Sequence, residues 1–449
     1  MNTILSYSKR TIVKGQEGGT QMNLKLMKQK DFSLLILGKL VSLLGSNMQQ
    51  FALSLYVLAI TGSATIFASI LSISILPRLL LSPIAGVFGD WFDRKRTIVL
   101  LDFLNGLIIG LFAVLYIING GLSITLIFVL VILLEITEIF FNSAMSAVMP
   151  SLVKKEEMMD ANSLNSIVMN MGNILAPIIA AFLYTNFGLK FILIISSISF
   201  VLSAISEMFI NIPKSHKQPE KINIKSFKTD LMEGVKIIKS NRLISTMIGL
   251  GTIINFSAVP LFGIGLIYIL KEVLKVDDMQ FGFFQMVLSS SMLLAPLLCG
   301  VIIKKIRIGR LTYSCFIITA LLVLLMSIFT SSIILKTFDS NVVSYLGILI
   351  TSFMVGLVVT VSNIALGTIF NQVVPLDLMG RTSTVYNLAV TVFIPVGQMI
   401  FGFLYDIISP GLVVIFSGII LFIATSLYKK ALLSYDDIDL EVELKPMIN

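Results

Sequence analysis

Residues 98–148 read IVLLDFLNGLIIGLFAVLYIINGGLSITLIFVLVILLEITEIFFNSAMSAV. Two apolar runs, 98–118 and 123–148, are parted by the turn at Asn119–Gly121. A bilayer core about 30 Å thick takes about 20 apolar helical residues to cross, and each run has that length. A connection this short sends the second helix back antiparallel to the first. The same reading carries outward to 33–60, 64–88, 162–184 and 189–211 on one side. On the other it gives 243–270, 279–303, 311–333, 341–371, 380–407 and 410–428. Composition agrees. The chain is 56% hydrophobic and 13% charged, where soluble domains are roughly a quarter charged. A mean hydropathy of +0.96 leaves too little polar surface to coat a core in water. The sequence predicts an all-α membrane protein with twelve transmembrane helices.

The loops orient these spans. One side holds the segment 1–31, the loops 89–97, 149–161, 212–242 and 304–310, Arg381 and the tail 429–449. It carries 27 of the 33 lysines and arginines. The other side has Lys190, Lys271, Lys275 and Lys336. The positive-inside rule then predicts a multi-pass protein of a bacterial plasma membrane with both termini cytoplasmic. It also accounts for the net charge of +8, so no nucleic-acid partner is expected. The residues before Asp31 lack the apolar core of a cleaved leader, and Phe32 onward reads as a true span. Cys299 and Cys315 sit in apolar runs and read as small hydrophobes, with no metal-ligand spacing. His216, the only histidine, lies in the 212–242 loop. The longest loop is too short for a catalytic domain and contains no phosphate-binding glycine loop. An enzyme, an ATP-driven pump and a cofactor are therefore not expected.

The basic, proline-containing loop 212–242 divides the chain into 32–211 and 243–428, and the two parts echo each other. Pro83-Ile84-Ala85-Gly86-Val87 closes the second span; Pro296-Leu297-Leu298-Cys299-Gly300-Val301 closes the eighth, and a basic loop follows each. Pro177 of the fifth span has its counterpart in Pro395 of the eleventh. Ala181-Phe182-Leu183-Tyr184 matches Gly402-Phe403-Leu404-Tyr405. The offsets are 214, 218 and 221, a near-constant spacing that points to duplication. Transporters commonly arise from such repeats, with the substrate between the halves near the midplane. Two pseudo-symmetric six-helix bundles are expected.

The motif Gly86-Val87-Phe88-Gly89-Asp90-Trp91-Phe92-Asp93-Arg94-Lys95-Arg96 resembles the loop signature of the major facilitator superfamily, a glycine, a spaced aspartate and a basic run. Helix number, orientation, central linker and repeat are similar to that family over nearly the whole chain. The sequence departs from the pattern at Trp91, where a basic residue is usual, and at Asp93, where glycine is usual. The resemblance implies that Gly86, Asp90, Arg94, Lys95 and Arg96 form a cytoplasmic gate, with Asp90 near the start of the eleventh helix. It also implies a cavity lined by the first, fourth, seventh and tenth helices. Gly172-Asn173-Ile174-Leu175-Ala176-Pro177-Ile178-Ile179-Ala180-Ala181 resembles a degenerate antiporter motif, with Pro177 and Pro395 as bends. Ser42-Leu43-Leu44-Gly45-Ser46, Thr61-Gly62-Ser63-Ala64, Leu76-Pro77-Arg78-Leu79 and Gly380-Arg381 look like the macrolide-efflux and enterobactin-exporter branch.

Charge inside a span is expensive and marks function. Glu135, Glu138 and Asn142 fall on one face of the fourth span by their i, i+3, i+7 spacing. Arg78 is near mid-depth in the second span and can pair with either glutamate. Gln49 continues a polar face with Ser42 and Ser46. Glu207 and Lys39 lie nearer span ends. Carboxylates in apolar surroundings can exchange protons near neutral pH. The expected function is export of a small amphipathic compound, drug-, macrolide- or siderophore-like, by alternating access with proton antiport. Glu135, Glu138, Arg78, Asn142 and Gln49 form the expected proton or substrate site. The partners expected are that substrate, protons and the lipid bilayer, around a monomer. Uptake of an anionic solute with Arg78 as counter-charge, and a non-transporting receptor, are the alternatives.

Overall fold

The computed structural model describes residues 24–91, 93–154, 157–212, 241–302, 306–331, 340–374 and 379–434, with 232, 236, 334 and 337 singly. Its regular elements are all helical. The first group comprises α1 (Lys30–Thr61), α2 (Ala64–Trp91), α3 (Arg94–Asn119), α4 (Ile124–Leu152) and α5 (Met158–Met208). The second comprises α6 (Arg242–Val273), α7 (Asp278–Ile302), α8 (Ile308–Phe329), α9 (Val342–Val373), α10 (Met379–Thr391), α11 (Ile394–Ile407) and α12 (Pro410–Leu427). The short α13 (Lys429–Ser434) follows. Among the described residues, eleven helical stretches are long and apolar enough to cross a membrane. The stretch Asp160–Met208 is far longer than the roughly 20 residues one crossing takes. Gly188 breaks it, at φ 73° and ψ −178°, a conformation that glycine alone adopts readily. α5 therefore has two legs, before and after Gly188.

Local chemistry sets the ends. Gly62 takes the left-handed conformation after α1, and its N–H donates to Leu58 O at 2.8 Å, a common helix stop. Asp93 caps α3 by accepting from the Arg96 N–H at 3.2 Å. That explains why the helix starts at Arg94, ahead of its apolar run. Ser123 caps α4 in the same way, and Asn241 caps α6. In α6, Pro260 lacks an N–H for the helical ladder. The chain widens there into π-helical turns at Leu261–Gly265 and Ile269–Val273. The run 380–407, expected as one span, is interrupted at Val392 and Phe393. Pro395 stands in the first turn of α11, where a missing N–H leaves no bond unmade.

In the first group, α1 packs on α5, α2 on α4, and α3 on both α4 and α5. In the second, α6 packs on α11 and α12, α7 on α9, and α8 on both α9 and α12. The groups meet chiefly through α2 with α11 and α5 with α7. Leu107, Ile118, Leu297, Ile350 and Leu427 are among many large apolar side chains left exposed. Contiguous apolar surface of this kind requires a cover, which a bilayer provides. Cys299 and Cys315 are buried thiols, as their apolar setting predicts.

Candidate functional site

A cavity of about 480 Å³ opens within the first group of helices, a size suited to a small organic molecule. α1 contributes Lys39, Ser42, Ser46, Asn47, Gln49 and Gln50, and α2 contributes Ser74 and Arg78. α3 adds Asp102 and Asn105; α4 adds Leu134, Glu135, Glu138, Phe141 and Asn142. Met169 and Phe200, one from each leg of α5, complete an apolar side. All five expected site residues, Gln49, Arg78, Glu135, Glu138 and Asn142, thus line one space. The expected contribution from the seventh and tenth helices is absent: α6 and α9 provide none of this cavity's walls. Their polar side chains are turned to other partners. Asn255 Nδ2 donates to Val390 O at 2.9 Å, and Ser362 Oγ donates to Val358 O at 3.1 Å.

Arg78 selects Glu135 of the two glutamates. Its Nε and Nη2 both reach Glu135 Oε1, at 2.7 and 2.6 Å. The arginine side chain is half exposed and the glutamate is largely buried. Glu138, one turn further along α4, is exposed and lies 3.5 Å from Asn142 Nδ2. The cavity therefore presents one neutralised ion pair, one exposed carboxylate and a row of amides and hydroxyls against apolar rings. Lys39 donates to Asn165 Oδ1 at 2.8 Å, tying α1 to the first leg of α5, and Asn47 does the same with Asn173 at 3.0 Å.

The two groups are bound together from one end to about mid-length. At that end Asp406, closing α11, caps the start of α2. Its carboxylate accepts from Ser63 Oγ at 2.7 Å, the Ala64 N–H at 2.8 Å and the Thr65 N–H at 3.0 Å. Deeper in, Ser72 Oγ donates to Gln398 Oε1 at 3.1 Å. Across the other crossing, Thr185 donates to Asp278 Oδ2 at 3.3 Å, and Asp278 also pairs with Lys271 at 2.6 Å. Two close approaches set the helix separation. A Cβ at Gly402 would meet Ala68 Cβ and come 3.0 Å from Ala64 O. One at Gly282 would come 2.6 Å from Ala181 Cβ and 3.0 Å from Pro177 O. These crossings are counterparts in the sequence repeat: Ala68 is offset by 214 from Gly282, and Ala181 by 221 from Gly402. Phe51 stacks on Phe281 between them, with ring centroids 5.1 Å apart. Ser69 and Ser72 of α2 add contacts to Met399 Sδ and Pro395 O of α11 along the same stretch.

Gly86 and Asp90 lie in α2, but their side chains are outside the described residues. Arg94, Lys95 and Arg96 form the first turn of α3. Pro177 lies within the first leg of α5, where its carbonyl faces Gly282. His216 is outside the described residues. Sequence reasoning missed Asp102, Asp278 and Asp406. Asp102 stood in the first apolar run read, so the rule that flags charge in a span applied to it. Asp406 had a weaker signal: it follows the repeated Tyr184/Tyr405 position, where the first half has Thr185.

The sequence profile of the Major Facilitator Superfamily matches residues 35–397. The chain is 25% identical over 378 residues to the uncharacterized MFS-type transporter YkuC of Bacillus subtilis, covering 80% of this chain and 81% of that one. It is 26% identical over 226 residues to macrolide efflux protein A of Streptococcus pyogenes, covering 50% of this chain and 55% of that protein. A bacterial homologue of the iron transporter ferroportin, in an inward-facing state, superposes with a TM-score of 0.70 at 15% identity. It covers 93% of this chain and all of that one. The nucleoside transporter NupG also gives 0.70, at 11% identity over 90% of this chain and all of that one. The ferroportin homologue in its outward-facing state gives 0.57, at 17% identity over 91% of this chain and 99% of that one. These likenesses establish the fold.

Proposed function

Because this chain belongs to the Major Facilitator Superfamily, we propose that it exports a small amphipathic compound across a bacterial plasma membrane in exchange for protons. The observation that carries this reading is the cavity itself. In a chain with so little charge, one wall gathers the Arg78–Glu135 pair, Glu138 and Asn142 opposite apolar residues of α5. Such a space suits a molecule with one polar edge and an apolar body. The match to macrolide efflux protein A supports export of that class. Arg78 is engaged by Glu135, which weighs against its serving as the counter-charge for an anionic solute.

The two legs of α5 are the fifth and sixth of twelve crossings, and α10 with α11 is the eleventh. The domains are then 32–211 and 243–428, joined by a cytoplasmic linker. Basic loops face the cytoplasm with both termini, which puts the bound end, with Asp406, outside. On this reading the bound end closes the outer side, the cavity is addressed from the cytoplasm, and the protein works as a monomer. Outward opening would break the Asp406 and Asp278 contacts. By family resemblance Asp90 would then close the cytoplasmic side, with Gly86 and the basic run Arg94–Arg96.

Energised inverted vesicles containing the protein, tested with a fluorescent amphipathic dye and with a macrolide, check the direction. Export predicts uptake into the vesicles that collapses when an uncoupler dissipates the pH gradient. Uptake unaffected by the uncoupler would remove the proton exchange, and movement in the opposite direction would remove the export.

A further inference from the structure

Behind the cavity, where α1, α3 and the second leg of α5 meet, two carboxyl groups are buried with no ion-pair partner among the described residues. Asp102 of α3 and Glu207 of α5 are each 1% exposed; Asp102 neighbours Ser203, and Glu207 follows Ser203 by one turn of α5. Packing holds them there. Ser197 Oγ donates to Gly106 O at 2.6 Å, one turn beyond Asp102. Ser206 Oγ donates to Leu34 O at 3.0 Å beside Glu207. Asp102 Oδ2 and Glu207 Oε2 have no hydrogen-bond partner, and the one hydroxyl placed beside Asp102 is that of the fully buried Ser203.

The surrounding charges are otherwise engaged. On α1, Lys39 donates to Asn165, and Asp31 accepts from the Asn211 N–H at 3.0 Å. On α4, Glu135 is held by Arg78, and Glu138 lies exposed in the cavity. Arg94, Lys95 and Arg96 stand two turns earlier on α3. Neither carboxyl has an ion-pair partner among the described residues. Two adjacent carboxylates in a dry interior cannot both stay ionised: burial and mutual repulsion each oppose the second charge. A pair so placed titrates as a unit.

We propose that Asp102 and Glu207 form an occluded proton-binding site, distinct from Glu135 and Glu138 and reached through Asp102. The proton comes from water in the cavity, whose wall includes Asp102 but not Glu207. It bonds to one carboxylate oxygen, and the resulting O–H donates to the other carboxylate; release reverses the step. Asn105, one turn from Asp102, accepts from Thr137 Oγ1 of α4, which stands between Glu135 and Glu138. That bond ties α3, next to the site, to the helix carrying the cavity charges. The role of this site in coupling rests on the proton-exchange reading above; its occupancy by a proton does not.

Infrared difference spectroscopy on purified protein in nanodiscs tests it, by following the carbonyl stretch of protonated carboxyl groups against pH. At neutral pH the wild type carries a band that shifts in deuterated water, and Asp102→Asn/Glu207→Gln lacks it. In each single variant the remaining band titrates at a different pH from the wild type. Glu207→Asp, which keeps the carboxyl, retains a shifted band and guards against a folding artefact in the amide variants. The same band in the double variant, or unaltered titration in both single variants, overturns the site. Loss of the band when sodium replaces choline would make it a metal-cation site and overturn it equally. Wild-type protein with the band but without pH-driven efflux would support the site while removing the exchange reading.

Discussion

Replacing Asp406 with alanine would weaken the outward closure by a calculable amount. Its carboxylate accepts from two backbone N–H groups and one hydroxyl at the start of α2. An N-cap contributes roughly 0.5–2 kcal/mol, and a negative charge at a helix N-terminus about 0.3–1 kcal/mol more. Asp406 is exposed, so salt screening keeps the charge contribution at the lower end. A loss of about 1.4 kcal/mol follows, a tenfold shift from inward-open to outward-open. The interaction exists only when the groups are closed at this end, so its loss acts on that equilibrium and leaves each bundle's core intact. Spin labels at Asn119 and Ser340, with Cys299 and Cys315 replaced by serine, would report the separation across the outer face. Asp406→Ala should raise the long-distance population about tenfold relative to the short one. Asp406→Asn, which keeps an acceptor without the charge, should move it less. Identical distance distributions in all three proteins would refute the reasoning.

Other perturbations separate the remaining parts. Gly282→Leu forces a side chain against Ala181 and the Pro177 carbonyl; overpacking of about 1–3 kcal/mol should favour the outward-open state in the same distance measurement. Arg78→Ala leaves the largely buried Glu135 charge without its partner. Because the arginine is half exposed, the loss in thermal stability should be about 1–2 kcal/mol, and adding Glu135→Gln should recover much of it. Single cysteines at Ser215 and Ser340 test orientation: an impermeant thiol reagent should label only the second in intact cells.

Residues 98–118 and 123–148 show why the membrane architecture was legible from sequence. Crossing a bilayer demands a continuous apolar length, and that demand is local along the chain. The repeat was legible as small residues and prolines that recur at near-constant offsets. Its three-dimensional meaning was not: the pairing of Ala68 with Gly402 and of Ala181 with Gly282 joins residues 334 and 101 apart. The Arg78 partner was narrowed to two glutamates by helical spacing, but the choice of Glu135 depends on how α2 lies against α4. The break at Gly188 was legible too, as the short turn between the runs 162–184 and 189–211. Asp102 follows the basic run Arg94–Arg96 by two turns, where a carboxylate ordinarily finds a cation. The fold buries it instead beside Glu207, which arrives from more than a hundred residues away.

Substrate efflux from proteoliposomes, with and without an imposed pH gradient, tests proton-coupled export most directly when wild type is set beside Glu135→Gln/Glu138→Gln. The wild type should move substrate against its gradient only when protons can flow the other way. The double variant should lose that accumulation while still allowing downhill exchange. A double variant that accumulates substrate at the wild-type level would contradict the assignment of the cavity carboxylates. A wild type indifferent to the pH gradient would contradict proton exchange itself.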